Sequence, residues 1–252
     1  MPEKNTEEPQ DSSRMPLWEH LEELRRRLFY SALILAVGMC VTYAYSEQLV
    51  LWVEKPLLDI LPEGKKYLYF TGLTDKFMVY FQVSLLASVV LVSPFLFYQL
   101  WQFVSPALHK HERRFVLPFV LFATFSFLTG IAFAYFIVVP FGYAFLISFG
   151  GAQDQAIITL NEYFSLTLKL LFAVGLVFEV PVVFVLLGKF GIVNAEFLRQ
   201  HRRYALVGAS LLSAIATPSP DAFTMLIVLV PLYLLYEISI IGVQLVTPKP
   251  TA

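Results

Sequence analysis

The sequence has a single cysteine and few charged residues, and these shortages exclude several classes of protein. Cys40 stands alone in an apolar run, which excludes a disulfide framework and a thiolate metal site. Only 15% of the 252 residues are charged, whereas 58% are hydrophobic. A soluble fold could not cover so much apolar surface, and the composition therefore predicts a polytopic membrane protein.

The sequence also lacks recognisable catalytic and cofactor motifs. It contains no glycine-rich loop that could bind a nucleotide phosphate. The histidines lie in loops or at interfaces, and no pair of them has metal-ligand spacing with a third ligand nearby; they are His20, His109, His111 and His201. We therefore expect no cofactor and no metal site.

Polar residues mark the ends of the chain. Met1 to Ser13 are acidic and polar without an apolar core, so they predict a disordered tail rather than a cleaved signal peptide. The predicted organisation is a tail over residues 1–14, a transmembrane domain over residues 15–246 and a C-terminal tail over residues 247–252.

An amphipathic helix is predicted at the start of the transmembrane domain. In PLWEHLEELRRRL, Pro16 to Leu28, leucines and a tryptophan recur at helical spacing and charges occupy the opposite face. Such a helix lies in the plane of the membrane surface. The pairs Glu22 with Arg26 and Glu23 with Arg27 have acid-first i,i+4 spacing, and each contributes only ~0.2 to 0.5 kcal/mol on an exposed helix. Two interpretations of these charges stay open: they form a solvated helix face, or some of them have a functional role.

Six apolar stretches follow, and five of them reach the ~20 residues that a bilayer core requires. The stretches are Leu28 to Tyr45, Phe77 to Leu100, Phe115 to Val139, Tyr163 to Leu187, Tyr204 to Ala216 and Phe223 to Val246. The fifth is too short, and is either a tilted half-span or one arm of a re-entrant hairpin that turns at Thr217 to Asp221. We infer an even number of crossings, so both termini lie on one side.

Lysines and arginines predict the orientation. Basic residues cluster in the N-terminal flank, in the second loop and in the fourth loop, at Arg14, Arg25, Arg26, Arg27, Lys110, Arg113, Arg114, Lys189, Arg199, Arg202 and Arg203. The loops Pro140 to Glu162 and Thr217 to Ala222 have none, although the first long loop has four lysines. The bias predicts that both termini are cytoplasmic, and it places Glu23 and Glu112 on the cytoplasmic face.

The stretch SPFLFYQLWQFVSPALHKHERR, Ser93 to Arg114, joins two apolar segments. Its aromatic side chains suit the boundary between lipid and water. Glu112 is the one acid among the basic residues at its end. We predict an interfacial turn with a carboxylate at its rim.

Glu179 is the ionisable residue nearest the middle of a predicted span. A carboxyl group there costs at least ~2.5 kcal/mol and needs a partner, a polar recess or a proton. One interpretation is a protonated side chain bonded to a carbonyl that a kink at Pro181 has freed. The other is a functional polar recess or proton site. Lys169 lies closer to a span end, from which its ammonium can extend towards water.

Several segments resemble the TatC family, the multispanning core of the twin-arginine protein translocase. They are HLEELRRRL at His20 to Leu28, the stretch Ser93 to Arg114, GIAFAYFIVVPF at Gly130 to Phe141, FEVPVV at Phe178 to Val183, and TPSPD at Thr217 to Asp221. The resemblance runs in register from about Met15 to Val246. The turn TPSPD departs from the common TPPD, and Lys169 occupies a place that is usually apolar.

The resemblance implies an all-α, glove-shaped membrane protein of six transmembrane helices, with a short fifth helix and the length of the sixth left open. It implies a receptor without enzyme activity that binds twin-arginine signal peptides of folded precursors. TatB-type and TatA-type single-span proteins, and other copies of the chain, would be its partners in transport driven by the proton-motive force across the bacterial plasma membrane.

Family positions fall on seven residues of this sequence. The resemblance assigns signal-peptide binding to Glu23, Glu112, Phe103 and Arg25. It assigns intramembrane or periplasmic roles to Glu179, Pro56 and Asp221. Two carboxylates at an aromatic-lined rim also suit two guanidinium groups, because each guanidinium presents a planar fork of donors.

Two alternatives come from other classes of protein. A proton-coupled solute transporter centred on Glu179 would predict an inverted internal repeat, which the sequence does not show. Glu22, Glu23 and Arg27 also spell EExxxR, as in intramembrane glutamyl proteases, but those enzymes need histidines within the membrane.

Overall fold

The computed structural model describes residues 17–62, 66–104, 116–149, 157–217 and 221–246. The described chain is almost wholly helical, and a π-helical segment, Ala134–Val138, joins α4 to α5. The helices are α1 Leu17–Ala44, α2 Ser46–Ile60, α3 Asp75–Val104, α4 Val116–Phe133, α5 Val139–Ser148, α6 Leu160–Val177, α7 Val180–Lys189, α8 Ala195–Gln200, α9 Arg202–Ala216 and α10 Ala222–Val246.

Five helical stretches of the described chain are long and apolar enough to cross a membrane. They are His20–Ala44, Asp75–Val104, Val116–Ser148, Leu160–Lys189 and Ala222–Val246. Helix α9 has 15 residues and is therefore about 22 Å long, less than the ~30 Å of a hydrocarbon core. The short fifth helix is thus confirmed, whereas the sixth, α10, has 25 residues and full spanning length.

The predicted surface helix and the first predicted span form one continuous helix. Helix α1 runs for 28 residues from Leu17 to Ala44. Its first 21 residues contain neither glycine nor proline, so nothing in the backbone ends the helix where the sequence changes from amphipathic to apolar. Trp18 and Leu28 are exposed on this helix, as expected of side chains that contact lipid.

The first half of the predicted interfacial turn is helical. Helix α3 continues through Pro94 to Val104, which corrects the expectation of a turn that begins at Ser93. Pro94 has no N–H to donate to the carbonyl of Val90, four residues earlier. The Ser93 hydroxyl donates to that carbonyl instead, at 2.8 Å, so the helix continues without an unsatisfied acceptor. Residues 105–115 lie outside the described ranges.

Pro140 is likewise helical and does not begin an external loop. It lies in the first turn of α5, where a missing N–H is tolerated, and α5 extends the third crossing to Ser148. The loop that was predicted to begin at Pro140 therefore begins only after Ser148.

Small residues and hydroxyl groups hold the helices close together. Between α1 and α3, Ser88 donates to the carbonyl of Leu35 at 2.9 Å, and Thr42 donates to the carbonyl of Ser84 at 2.8 Å. A Cβ atom added to Gly38 would come within 2.7 Å of the Ser88 hydroxyl oxygen. Close backbone approach and hydroxyl bonds of this kind drive helix association in membranes, where there is no hydrophobic force between helices.

The main core lies where α2, α3, the π-helical segment and α6 meet. Its most buried side chains include Leu57, Val79, Val138, Tyr163 and Phe164. Outside the helices, Tyr69 and Thr159 form a parallel bridge in which the Leu160 amide donates to the Tyr69 carbonyl at 2.7 Å. This bridge joins the two connections at one end of the bundle.

Candidate functional site

The structure brings Glu23 and Phe103 to the same end of the antiparallel pair α1 and α3. The His20 ring, one turn before Glu23, stacks on the Phe103 ring with a centroid distance of 4.6 Å and an interplanar angle of 26°. One turn after Glu23, the Arg27 Nη1 atom donates to Gln99 Oε1 at 3.2 Å. Two contacts between the helices therefore flank the carboxylate.

Both oxygens of the Glu23 carboxylate accept hydrogen bonds from guanidinium groups of its own helix. Arg27 Nε donates to Oε1 at 2.6 Å, and Arg26 pairs with Oε2. The Glu23 side chain is only 15% exposed. The predicted pair of Glu23 with Arg27 is thus confirmed, but Arg26 pairs with Glu23 rather than with Glu22. Since a carboxylate offers about four lone-pair sites, Glu23 can accept from both guanidinium groups at once.

Arg25 projects away from this cluster. It is exposed and has no ion pair within the described ranges. Residues two apart on a helix do not face each other, so Arg26 and Arg27, rather than Arg25, neutralise the Glu23 carboxylate. A direct role for Arg25 in peptide binding stays a prediction. Glu112 lies outside the described residues, and its place beside Glu23 stays a prediction as well.

Glu179 lies at the break between α6 and α7. The residue is buried, and its Oε1 atom has no hydrogen-bond partner among the described residues. Pro181 falls in the first turn of α7, where its missing N–H is tolerated, so it begins a helix rather than kinking one. The Phe178 carbonyl next to the break accepts from the Ser126 hydroxyl at 2.5 Å.

Close packing fixes the position of that break. A Cβ atom on Gly130 would come within 2.8 Å of Phe178, and one on Gly175 would come within 2.8 Å of the Phe127 ring. Helices α4 and α6 therefore cross too closely for larger side chains. An incompletely bonded carboxyl group held at a rigid break destabilises the fold. Because such a residue brings no structural benefit, a functional polar recess or proton site stays the preferred interpretation of Glu179.

Pro56 lies inside α2, where its missing N–H frees the carbonyl of Trp52. The Tyr135 hydroxyl, from the π-helical segment, donates to this carbonyl at 2.6 Å. The Tyr135 ring also stacks on the Trp52 ring at 4.8 Å. Tyr163 donates to the next carbonyl, that of Val53, at 2.7 Å. The carbonyl that the proline frees thus joins α2 to the third crossing, and the Tyr163 bond joins α2 to the fourth.

Two further acids, Asp221 and Glu54, lie at this end of the bundle. Asp221 caps α10, because its Oδ1 atom accepts from the Thr224 amide at 2.7 Å. Glu54 is partly buried on α2, outside the spans, and burial raises the pKa of its carboxyl group.

Comparison with known proteins identifies the family. A family model described as Sec-independent protein translocase protein (TatC) matches residues 19–231. The chain belongs to the TatC family. A Sec-independent protein translocase protein TatC from Desulforapulum autotrophicum is 41% identical over 239 residues, which cover 95% of this chain and 88% of that protein. The protein of the same name from Deinococcus radiodurans is 40% identical, over 92% of this chain and 87% of its own.

Solved structures agree with the assignment. A crystal structure of the twin-arginine translocase receptor TatC superposes with a TM-score of 0.76 at 35% identity, covering 91% of this chain and 100% of that one. The family consists of protein-transport components and not of enzymes. Nothing in these comparisons favours a solute transporter centred on Glu179.

The sequence did not identify His20, Gln99, Arg26 or Tyr135 as parts of these sites. Each acts through a contact with a residue on another helix or through a choice of rotamer. The one sequence signal for these residues was that polar side chains cluster near the ends of α1 and α3. That pattern does not show which residue each of them contacts.

Proposed function

We propose that this protein is the receptor for twin-arginine signal peptides, and that Glu23 and Glu112 bind the paired arginines at the cytoplasmic face. The observation that carries this proposal is the Glu23 carboxylate, which accepts from two guanidinium groups at the shared end of α1 and α3. Because a carboxylate offers about four lone-pair sites, an incoming arginine would add a charge-assisted hydrogen bond to Glu23 beside those of Arg26 and Arg27.

Phe103 supports this role from the neighbouring helix. Its stacking with His20 forms an aromatic surface beside the carboxylate. Such a surface suits the apolar part of a signal peptide, or the flat face of a guanidinium group, and it contributes contact without charge. Arg25 is exposed on the same part of α1 and is the proposed basic residue of the site.

The transport function requires further components. We infer that the protein lies in the bacterial plasma membrane with both termini cytoplasmic. It would act with TatB-type and TatA-type single-span proteins and with further copies of itself. Together they would export folded precursors using the proton-motive force. Family membership and five spanning helices support this assembly.

A binding experiment tests the site. The full chain in lipid nanodiscs is titrated with a labelled twin-arginine peptide, and the affinity is measured by fluorescence anisotropy. Because a hydrogen bond to a charged group contributes ~1.5 to 3 kcal/mol, Glu23→Gln and Glu112→Gln should each weaken binding roughly tenfold to a hundredfold. Glu22→Gln is the matched control, since Glu22 is an exposed acid of the same helix turn that forms no ion pair among the described residues.

A second peptide separates charge recognition from general weakening. Substituting one peptide arginine by lysine should cost less affinity on the glutamine variants than on the wild type, a coupling that a double-mutant cycle measures. If both variants bind the twin-arginine peptide as tightly as the wild type, the receptor site lies elsewhere.

A further inference from the structure

Lys169 is an exposed cation within the apolar part of a membrane span. It lies nine residues after the first residue of α6, about 13 Å along the helix axis. The lipid-facing side chains beside it, Leu166 and Phe172, are each 38% exposed, whereas Leu168 and Leu170 face the core. Lys169 forms no ion pair or hydrogen bond among the described residues. An ammonium group at this depth is stabilised by water at the end of the span or by an anionic partner.

The direction of the side chain indicates where that partner lies. Cα–Cβ bonds of a helix tilt towards its N-terminus, so the Lys169 ammonium extends back towards the start of α6. There a cavity of 530 Å³ opens between α6 and the loop before α3, and Lys169 is one of its lining residues. Thr71, Asn161, Glu162 and Ser165 supply hydroxyl, amide and carboxylate groups to the same cavity.

Glu162 gives the cavity a second charge. It lies seven residues before Lys169, almost two full turns, so both side chains are on the same face of α6 about 10 Å apart along the axis. The two do not form an ion pair with each other. The deeper charge is positive and the outer charge is negative. In a bilayer leaflet, a lipid phosphate is likewise deeper than the ammonium group that it carries.

We propose that this cavity binds the headgroup of a phospholipid whose phosphate is joined to a primary ammonium group, as in phosphatidylethanolamine. The phosphate pairs with the Lys169 ammonium, and the lipid ammonium donates to the Glu162 carboxylate. The hydroxyl groups of Thr71 and Ser165 complete the polar lining. A purely anionic lipid would meet repulsion from Glu162, and a trimethylated ammonium could not donate a hydrogen bond.

Glu162 also has a structural role, which the test must preserve. Its amide donates to the Thr159 hydroxyl at 3.3 Å, and Thr159 with Glu162 forms the T-x-x-E arrangement of a capping box at the start of α6. Glutamine also serves at this capping position, so Glu162→Gln removes the charge and keeps the cap. Lys169→Leu places an apolar side chain on the lipid-facing surface and should not impair folding.

The experiment is native mass spectrometry of the delipidated full chain in detergent. It is titrated with phosphatidylethanolamine, phosphatidylglycerol or phosphatidylcholine of identical acyl chains. The wild type should bind phosphatidylethanolamine about tenfold more tightly than the other two, as expected for a charge-assisted hydrogen bond. Lys169→Leu should abolish the preference. Glu162→Gln should keep phosphate binding but make phosphatidylethanolamine and phosphatidylglycerol equivalent.

Lys76→Leu is the control. Lys76 lies at the start of α3, close to the loop that lines the cavity, but it does not line the cavity itself. Its Nζ atom lies 5.7 Å from the centroid of the Tyr80 ring. It should bind all three lipids as the wild type does. Three outcomes would overturn the proposal. They are an unchanged preference in Lys169→Leu, equal binding of phosphatidylcholine by the wild type, and displacement of the lipid by inorganic phosphate. An unchanged preference would show that the lipid phosphate does not pair with Lys169.

Discussion

At the scale of single residues, Glu179 combines a buried carboxyl oxygen that lacks a hydrogen bond among the described residues with a fixed position at the α6–α7 break. Leaving a buried polar group unpaired destabilises a fold by about 1 to 3 kcal/mol. Replacing it by an apolar side chain of similar volume should therefore keep or raise stability. A loss of transport in such a variant would then reflect function.

We predict that Glu179→Leu is at least as stable as the wild type and binds the signal peptide normally, but transports poorly. Glu179→Gln should keep most transport if the residue shapes a polar recess for a signal hairpin or a partner helix. Unfolding of the purified protein and export of a reporter precursor measure the two properties separately. Complete failure of the glutamine variant would contradict the polar recess and indicate a proton-coupling site, because an amide cannot ionise.

The sequence could predict which residues carry charge at the proposed receptor site, but not their partners. The i,i+4 spacing predicted the pair of Glu23 with Arg27, because helix geometry alone brings these residues together. The choice of Arg26 between Glu22 and Glu23 depends on rotamers. The stacking of His20 on Phe103 joins residues 83 positions apart (103 − 20) and requires the packing of α1 on α3.

At the scale of helices, three prolines are accommodated in distinct ways. Pro94 lies within α3, where the preceding serine donates to the freed carbonyl. Pro181 begins α7 and frees no carbonyl inside a helix. Pro56 lies within α2, and a tyrosine of the third crossing donates to the carbonyl that it frees. Only the last arrangement makes a proline part of the packing between helices.

We predict that Tyr135→Phe loosens α2, because the carbonyl of Trp52 loses its donor, at a cost of about 1 to 3 kcal/mol. Combining it with Pro56→Ala should recover part of this loss, since alanine restores the N–H that α2 lacks at that position. Hydrogen exchange of the α2 amides and unfolding of the purified protein report the effect. Tyr67→Phe, at an exposed tyrosine, is the control. Additive effects of the two substitutions would show that Tyr135 and Pro56 act independently.

The ends of α3 and α10 were predictable, whereas the end of the third crossing and the π-helical segment within it were not. Long apolar runs predict α3 and α10 to within a few residues, because burial in lipid demands continuous hydrophobicity. The π-helical segment and the α6–α7 break lie inside such runs and leave no mark in hydropathy. They depend on contacts between crossings, such as those that Tyr135 and Gly130 make.

At the scale of the whole molecule, the order of the crossings places the Glu23 end of α1 on the same side as α8. Helix α3 returns to that side at Phe103, and the crossing α6–α7 returns to it at Lys189. Ser148 ends α5 on the opposite side. An orientation measured at any one of these ends therefore fixes the side on which a signal peptide must arrive.

We predict that a cysteine at Ser148 reacts with a membrane-impermeant maleimide in intact cells, and that one at Gln200 reacts only after permeabilisation. Both positions are exposed, so lack of access to the side chain cannot explain a negative result. The native thiol is removed first by Cys40→Ala. This substitution should not disturb the fold, because Cys40 is exposed on α1 and forms no disulfide bond. This prediction rests on the clustered arginines at Arg199, Arg202 and Arg203, which favour a cytoplasmic position of the Gln200 end. Labelling of Gln200 from outside would place Glu23 on the external face, where precursors made in the cytoplasm could not reach it.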